Sequence, residues 1–508
     1  MLLELIGLAL FVVIAGRLLL LKYDHWRYSH IPGPTRQSFI YGNISELRKR
    51  LREEGAWGPY WLDLVQQHGI IVCCWTVLKP RVFVADPLVI KEMVTDFKTF
   101  PRSGDAHGFI AKKYSFGIGR IGSTRFCGFN SILTDRGGPI WKRKKKIMDP
   151  AFSIQRLNKH LTKFYNIANS LCDVVEAAQQ ETPGEPIDVS SIMSPFTIDA
   201  ISKAGFSATE SEADRLRLIS SMKEAMTHVM AKGGNTLALL MDSSARKALF
   251  ANARSIQTIR DIGKSMIMSR INNGKLGLVD DILDSIISAN MDVNTGSLEI
   301  EESLDDFMTM YAAGNATTST TLLWSLGQLT RNPGVLEKIV EEIDSVWTEA
   351  NIDGNTETSV IGDTLKQMVY LEAFVKEVLR FHPPVQFINR MCSKNVKVCG
   401  YDIPKGTGII SSQYVLHRWD QYWPDPDKFQ PERFITSSPK PYIYIPFFLG
   451  PRQCIGKNFA ILELKCILCE ILSRFDVEKD PEAPWKQRSG QAILCYPKDN
   501  SYIFKPRQ

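Results

Sequence analysis

Phe447-Phe448-Leu449-Gly450-Pro451-Arg452-Gln453-Cys454-Ile455-Gly456 runs directly into the apolar stretch Phe459 to Leu472, whose spacing predicts a helix. A glycine-bearing loop therefore delivers one cysteine to a helix start. Unpaired backbone N–H groups and the positive end of the helix dipole favour an anion there, which predicts a lowered thiol pKa and a thiolate at Cys454. Taken alone, a cysteine ahead of a helix is more often a buried structural thiol than a ligand, so the rest of the chain has to decide between the two.

With 508 residues, 44% hydrophobic and 23% charged, the chain has enough apolar side chains for a sizeable core and no composition typical of disorder. A net charge of +6 is modest for that length and argues against a nucleic-acid partner. The ten cysteines are scattered, without the dense spacing of a secreted disulfide scaffold. Cys466 and Cys469 form a CxxC inside the apolar run, with no second Cys or His pair for zinc, and read as helix core.

Leu2 to Leu21 is nearly all apolar, interrupted only by Glu4 and Arg17, and is long enough for a single membrane-spanning helix. Arg17, Lys22 and Arg27 cluster at its far end while Glu4 lies at its start, which places the bulk of the chain in the cytosol by the positive-inside rule. The start lacks the positive charge of a cleavable signal. The prolines of Ile31-Pro32-Gly33-Pro34 then predict a stiff connector.

Ile70 to Val77 and Arg81 to Ala85 are rich in branched and aromatic residues and predict a hairpin. From Trp141 to about Leu379 the apolar spacing is helical, as in Leu304, Phe307, Met308 and Tyr311. Short strands return near Val396 to Ile403 and Gly408 to Ser411, and Trp419 to Phe434 is irregular. The expected fold is mainly α with small β-sheets. The expected organisation is an anchor at 1–22, a hinge at 23–40 and one large domain at 41–508.

Together, these motifs resemble those of the cytochrome P450 family of haem-thiolate monooxygenases. Phe447-x-x-Gly450-x-Arg452-x-Cys454-x-Gly456 is similar to that family's haem-binding signature, and the resemblance implies the P450 fold, a haem cofactor and Cys454 as its iron ligand. A thiolate ligand is what haem iron needs for O–O cleavage. Glu377 and Arg380, three apart on a predicted helix, resemble the family's Glu-x-x-Arg. With Arg433 of Pro431-Glu432-Arg433-Phe434 they imply a structural lock.

Ala313-Gly314-Asn315-Ala316-Thr317-Thr318 resembles the family's oxygen-binding helix, implying catalytic roles in proton delivery for Thr317 and Thr318. The family usually carries an acid where this chain has Ala316, which predicts slower or leakier oxygen activation. Trp141 and Lys145 resemble a Trp-x-x-x-Arg that bonds the haem propionates. Lysine there supplies charge without a bidentate fork. By the same likeness Arg390 and Arg452 are further propionate partners.

The family's pocket segments correspond to the loop between Arg102 and Leu133, with Phe109, Phe116, Phe126 and Phe129, to Tyr311 and Ala312, and to Val385 to Ile388, including Phe387. Their apolar character implies a small hydrophobic substrate. Tyr28 to Pro34 and Leu304 to Asn332 are most similar to animal sterol side-chain hydroxylases of the cholesterol 24-hydroxylase type, which points to a sterol, fatty acid or related lipid. NADPH is expected to act through a partner reductase, because no dinucleotide fingerprint is present. Lys142 to Lys146 is the expected docking face, and the endoplasmic reticulum membrane the expected location. The competing readings are a reductase-independent haem-thiolate isomerase or dehydratase of lipid hydroperoxides, which Ala316 favours, and a membrane-tethered haem carrier or sensor.

Overall fold

The computed structural model describes residues 2–76, 79–102, 127, 131–135, 137–209, 211–231, 243–292, 296–480, 487–489 and 494–507. Its amino-terminal helix α1, Leu2–Arg27, extends past the apolar stretch to a basic last turn. Phe11, Leu19 and Leu20 are each more than 60% exposed, whereas Leu21 at the inner end is buried. Among the described residues no helix is long and apolar enough to cross a membrane, so the expected helix forms but a span is not assigned to it. The connector beyond α1 lies along the body: Tyr28 shares a hydrogen bond with Thr407, and the Cys73 N–H donates to Pro32 O at 2.7 Å.

The expected hairpin forms as β1, Ile71–Thr76, and β2, Lys79–Val84, in antiparallel register with Ile71 opposite Val84. Two later strands complete a four-stranded sheet. These are β3, Phe387–Met391, and β4, Gly408–Ser412, in the order β1-β2-β4-β3, with β4 parallel to β2. Alternation along β3 turns Ile388 towards one apolar cluster and Phe387 towards another.

Helices make up most of the rest. Pro139, at the first position after Gly138, starts α2, Pro139–Met148. Then come α3, Leu161–Glu181, and α4, Ser190–Asp199, which continues into a π-helical turn at Ala200–Gly205. The longest helix, α5, Ile300–Arg331, crosses the molecule, and its far half from Leu322 to Leu329 is buried. It packs against α4 and against α7, Lys457–Arg474, the helix that follows Cys454. Cys466 and Cys469 lie fully buried in α7, in the main core cluster.

Between α5 and α7 stands α6, Val369–Phe381, whose inner face carries Glu377 and Arg380, both fully buried. The Arg380 Nε and Nη2 donate to the two Glu377 carboxylate oxygens at 2.7 and 2.8 Å. Arg433 Nε donates to Oε1 at 3.2 Å. Arg380 also donates to the carbonyls of His417, Pro426 and Lys428, and the Gln430 N–H donates to Glu377. The irregular stretch after Trp419 therefore takes its shape from one buried ion pair.

Removing one member of a buried pair strands the other charge. Glu377→Ala or Arg380→Ala is expected to cost about 3–5 kcal/mol. Arg433→Ala loses a longer bond to Glu377 together with bonds to the carbonyls of Pro424, Asp425 and Lys428 nearer the surface, and is expected to cost about 1.5–3 kcal/mol. Denaturant midpoints of the three variants check this order, and an Arg433 variant as damaged as the other two would contradict it.

Candidate functional site

The Cys454 loop is held open by backbone conformation. Gly450 has φ +71°, and a side chain there would put a carbon 2.6 Å from Val94 O. Phe448 also has positive φ, at +58°. The Cys454 N–H donates to Phe447 O at 2.9 Å, and the Gly456 N–H bonds the thiol.

Among the ten cysteines Cys454 is the one classed as exposed; Cys399 is half-buried and the others are buried. Yet surrounding protein desolvates the thiol enough to raise its pKa, outweighing the Gly456 N–H and the charges of Lys145 and Lys457. This reverses the lowering expected from the helix start. Burial outweighs the helix start at this thiol, and a cation bound at the sulphur would favour its ionised form.

Helix α5 changes character over one turn and a half. Ser303 to Met310 and Thr318 to Leu329 are buried, while Ala313 is exposed and Ala312, Gly314, Ala316 and Thr317 are half-buried. Small side chains thus leave accessible space beside a helix that is otherwise core. On the other side Gly314 fits tightly, since a Cβ there would lie 2.6 Å from Ile201 of the π-turn. Asn315 Oδ1 accepts from Ser194 and Thr197 at 3.1 and 2.8 Å. The Thr317 hydroxyl donates back to Ala313 O at 2.7 Å.

Thr318 is buried and interacts with Glu463 of α7, which the sequence reading missed. Among the described residues neither Glu463 carboxylate oxygen has a hydrogen-bond partner of good geometry. Burial holds its carboxyl well above the usual range, with Thr318 opposing. Its only signal in the sequence is that it is one of two acids, with Glu470, inside the apolar run after Cys454.

A third group is cationic. Arg452 donates to the carbonyls of Ile132 and Asp135 at 3.0 and 2.8 Å and lies 3.7 Å over the Trp141 ring. Arg390 donates to Met93 O at 3.0 Å, and Arg102 donates to Leu133 O. Arg102 and Arg390 are bridged through their backbones, a long-range contact that no local motif announces. Desolvation and mutual repulsion pull Arg390 down to about 10 and Arg452 to about 9. Burial pulls Arg102 down to about 10 as well. Among the described residues the carboxylate paired with the trio is Asp135, 4.0 Å from Arg452. Three crowded guanidinium groups with so little opposing charge fit an anionic group, and the accessible Cys454 sulphur fits an iron. An iron macrocycle with two carboxylate arms satisfies both.

Several expectations need correcting. Lys145 points to Asp149, one turn on, at 2.6 Å, and Lys144 is fully buried between Glu302 and Asp306, at 3.0 Å from each. Of Lys142 to Lys146 only Lys142 and Lys146 are exposed. The spacing of Trp141, Lys144 and Met148 on the inner face could have shown this. Tyr311 is core, sharing a hydrogen bond with Ser202 at 2.7 Å and packed against Phe206 and Phe307. Phe387 packs against the apolar cluster that includes Val72, Phe83 and Val415, on the other face of the sheet strand from Arg390. Ala312 and Val385 are half-buried. Phe109, Phe116, Phe126 and Phe129 lie outside the described residues. A hollow of about 500 Å³ does adjoin the cysteine loop, lined by Phe447, Gln453, Lys457, Lys366, Lys376 and Tyr444 among others.

A family model described as Cytochrome P450 matches residues 32–504. Cytochrome P450 3A6 of Oryctolagus cuniculus is 27% identical over 487 residues, which cover 90% of this chain and 88% of that protein. Secologanin synthase 1 of Catharanthus roseus is 25% identical over 442 residues, covering 83% and 79%. Cytochrome P450 4V2 of Rattus norvegicus is 39% identical over 199 residues, covering 39% and 36%. Because the family match takes in the hairpin sheet, the buried lock and the cysteine loop alike, the chain belongs to the cytochrome P450 family.

Proposed function

We propose that this haem-thiolate monooxygenase is anchored in the endoplasmic reticulum membrane by α1 and inserts oxygen into a small hydrophobic substrate of sterol or fatty-acid type. The observation that carries the site assignment is the accessible Cys454 sulphur in a loop shaped by Gly450 and the helix start. Haem bound there supplies oxygen activation, with electrons arriving from a reductase. Arg102, Arg390 and Arg452 hold its carboxylate arms. Trp141 supports Arg452 by stacking beneath it.

Thr317 handles protons on the accessible side of α5, with Thr318 buried behind it. With Ala316 in place of an acid, Thr317 has first to leave its bond to Ala313 O. Glu463 keeps a proton close to Thr318. The small side chains of Ala312 and Ala313 give an apolar substrate room beside the helix, and Val385 is a further lining candidate. The reductase docks on the cysteine-loop side through Lys142, Lys146 and Lys457, all exposed.

Exposed Phe11, Val12, Val13, Ile14, Leu18, Leu19 and Leu20 support the anchor, and exposed Tyr23, Trp26 and Tyr41 suit a membrane–water interface. Arg17, Lys22 and Arg27 place the domain at 41–508 on the cytosolic side, with 23–40 as a docked connector. A lipid substrate suits such an anchor because it partitions into the same bilayer.

Cys454→Ala is expected to abolish the thiolate-type carbon-monoxide spectrum of the reduced protein; a preserved band would remove Cys454 as the ligand. In reductase assays with sterol and fatty-acid panels, the ratio of product to peroxide per NADPH should be low and should rise in Ala316→Glu. Tight coupling that Ala316→Glu does not improve would refute the proton-handling role given to this stretch. Turnover of lipid hydroperoxides without reductase would favour the isomerase reading. Deleting residues 2–20 should move the protein from membrane to soluble fractions with its spectrum intact.

Glu463 also makes stability depend on pH. Its folded pKa lies above the unfolded value, so its contribution is fully present below the unfolded pKa and is lost as pH rises towards the folded one. Each pH unit in that window costs about 1.4 kcal/mol. Glu463→Gln keeps the shape without the ionisation. The variant's thermal midpoint should gain on the parent's as pH rises above the ordinary carboxyl range, and parallel pH profiles would show that Glu463 ionises freely when folded.

A further inference from the structure

The segment Ser131–Asp135 holds two of the three cradle arginines through its backbone. Ile132 O accepts from Arg452 at 3.0 Å and from Trp141 Nε1 at 3.2 Å; Asp135 O accepts from Arg452 at 2.8 Å, and Leu133 O accepts from Arg102. A short internal turn shapes the segment, with the Asp135 N–H donating to Ser131 O at 2.9 Å. Backbone carbonyls are useful supports for guanidinium groups because they satisfy the N–H donors without cancelling the charge.

What fixes the segment is a carboxylate on another helix. The Ile132 N–H donates to Asp306 Oδ1 at 2.5 Å, so the same residue whose carbonyl carries Arg452 and Trp141 is tied by its amide to α5. The other oxygen, Asp306 Oδ2, accepts from Lys144 Nζ at 3.0 Å and from Asn290 Nδ2 at 2.9 Å. The Asp306 and Lys144 side chains are both fully buried, and Glu302 Oε2 lies 3.0 Å from Lys144 Nζ. The carboxylate thus has one oxygen committed to the segment and one clamped by α2.

We propose that Asp306, clamped by Lys144, is a positioning residue that orients Ser131–Asp135 and through it presents Arg452 and Arg102 to the cofactor's carboxylate arms. Lys144 is then a structural cation inside an otherwise surface-directed basic run. This rests on the reading of the arginine trio as the cofactor cradle, and the test separates the two.

Asp306→Ala, Lys144→Met and Arg452→Gln are made in the full-length holoenzyme, and haem loss to an excess of apoglobin is timed alongside the ferric–ferrous potential. Asp306→Ala should release haem about tenfold faster, the scale of one hydrogen bond to a charged group. Lys144→Met keeps the Ile132 bond and should accelerate release by a smaller factor, and it carries the test if the alanine variant does not fold. Acting through Arg452 and Arg102, Asp306→Ala should combine with Arg452→Gln to clearly less than the product of the two single effects, and the two single variants should shift the potential in the same direction. Unchanged haem loss in Asp306→Ala and Lys144→Met, or effects that simply multiply with those of Arg452→Gln, would overturn the proposal. Should Arg452→Gln itself leave haem loss and potential unchanged, the cradle reading fails instead.

Discussion

The buried pair of Glu377 and Arg380 is the constraint on which the rest of the molecule hangs. Two charges without solvent are stable only if every remaining donor and acceptor is used. Here Arg380 spends its outer N–H groups on the carbonyls of His417, Pro426 and Lys428. Those three residues belong to a part of the chain with neither helical nor strand periodicity, which has no regular ladder to hold it. From His417 the constraint passes on, since the Ile445 N–H donates to its Nε2 at 2.9 Å and the Tyr444 hydroxyl donates to Lys376 O at 2.9 Å. Two residues later begins the loop that carries Cys454. The position of one sulphur is therefore set by an ion pair far from it in sequence.

Charge around the cofactor site follows a different rule on each side. The cradle keeps its guanidinium groups bonded to carbonyls and nearly free of carboxylates, preserving positive charge. Asp306, fewer than ten residues before the accessible turn of α5, is held by two neutral donors and by Lys144, a cation it shares with Glu302, so its charge is balanced in part where it lies. Burial raises its pKa while Lys144 pulls it down. The one segment touching both systems is Ser131–Asp135. A backbone bridge of this kind can fix geometry between two charged groups without merging their fields.

Features written into a few consecutive residues were legible in the sequence. The hairpin and the cysteine loop came from local chemistry, whereas the lock came only with the family likeness, because Arg433 stands 56 residues from Glu377; the apolar spacing that defined α5 already counted Tyr311 among its core-facing residues. Reading Tyr311 as a pocket residue set the family likeness above that periodicity, and packing against Phe206 and Phe307 decided otherwise. Lys144 was hidden in the same way, because a block of five cations reads as a surface until helical phase assigns one of them inward. Arg102 had no local signal, for its role depends on a bridge to Arg390 nearly three hundred residues away. Glu463 needed the packing of α7 against α5 before its isolation meant anything.

That packing bears on the stretch Ala313 to Thr318. A helix opened for chemistry would normally lose backbone bonds, yet here hydroxyl groups are used to reinforce carbonyls: Thr317 bonds Ala313 O, Ser319 bonds Asn315 O and Thr321 bonds Thr317 O. Gly314 and Asn315 pin the opposite side to α4 and its π-turn. The accessible face is therefore made by small side chains on a well-supported helix, and a π-turn in the neighbouring chain absorbs the close approach. Such a wall is shaped for a bulky apolar neighbour and offers few polar groups of its own. The proposed proton route there would rest on the Thr317 hydroxyl, with Thr318 and Glu463 buried behind it, because the helix position ahead of Thr317 carries only a methyl group.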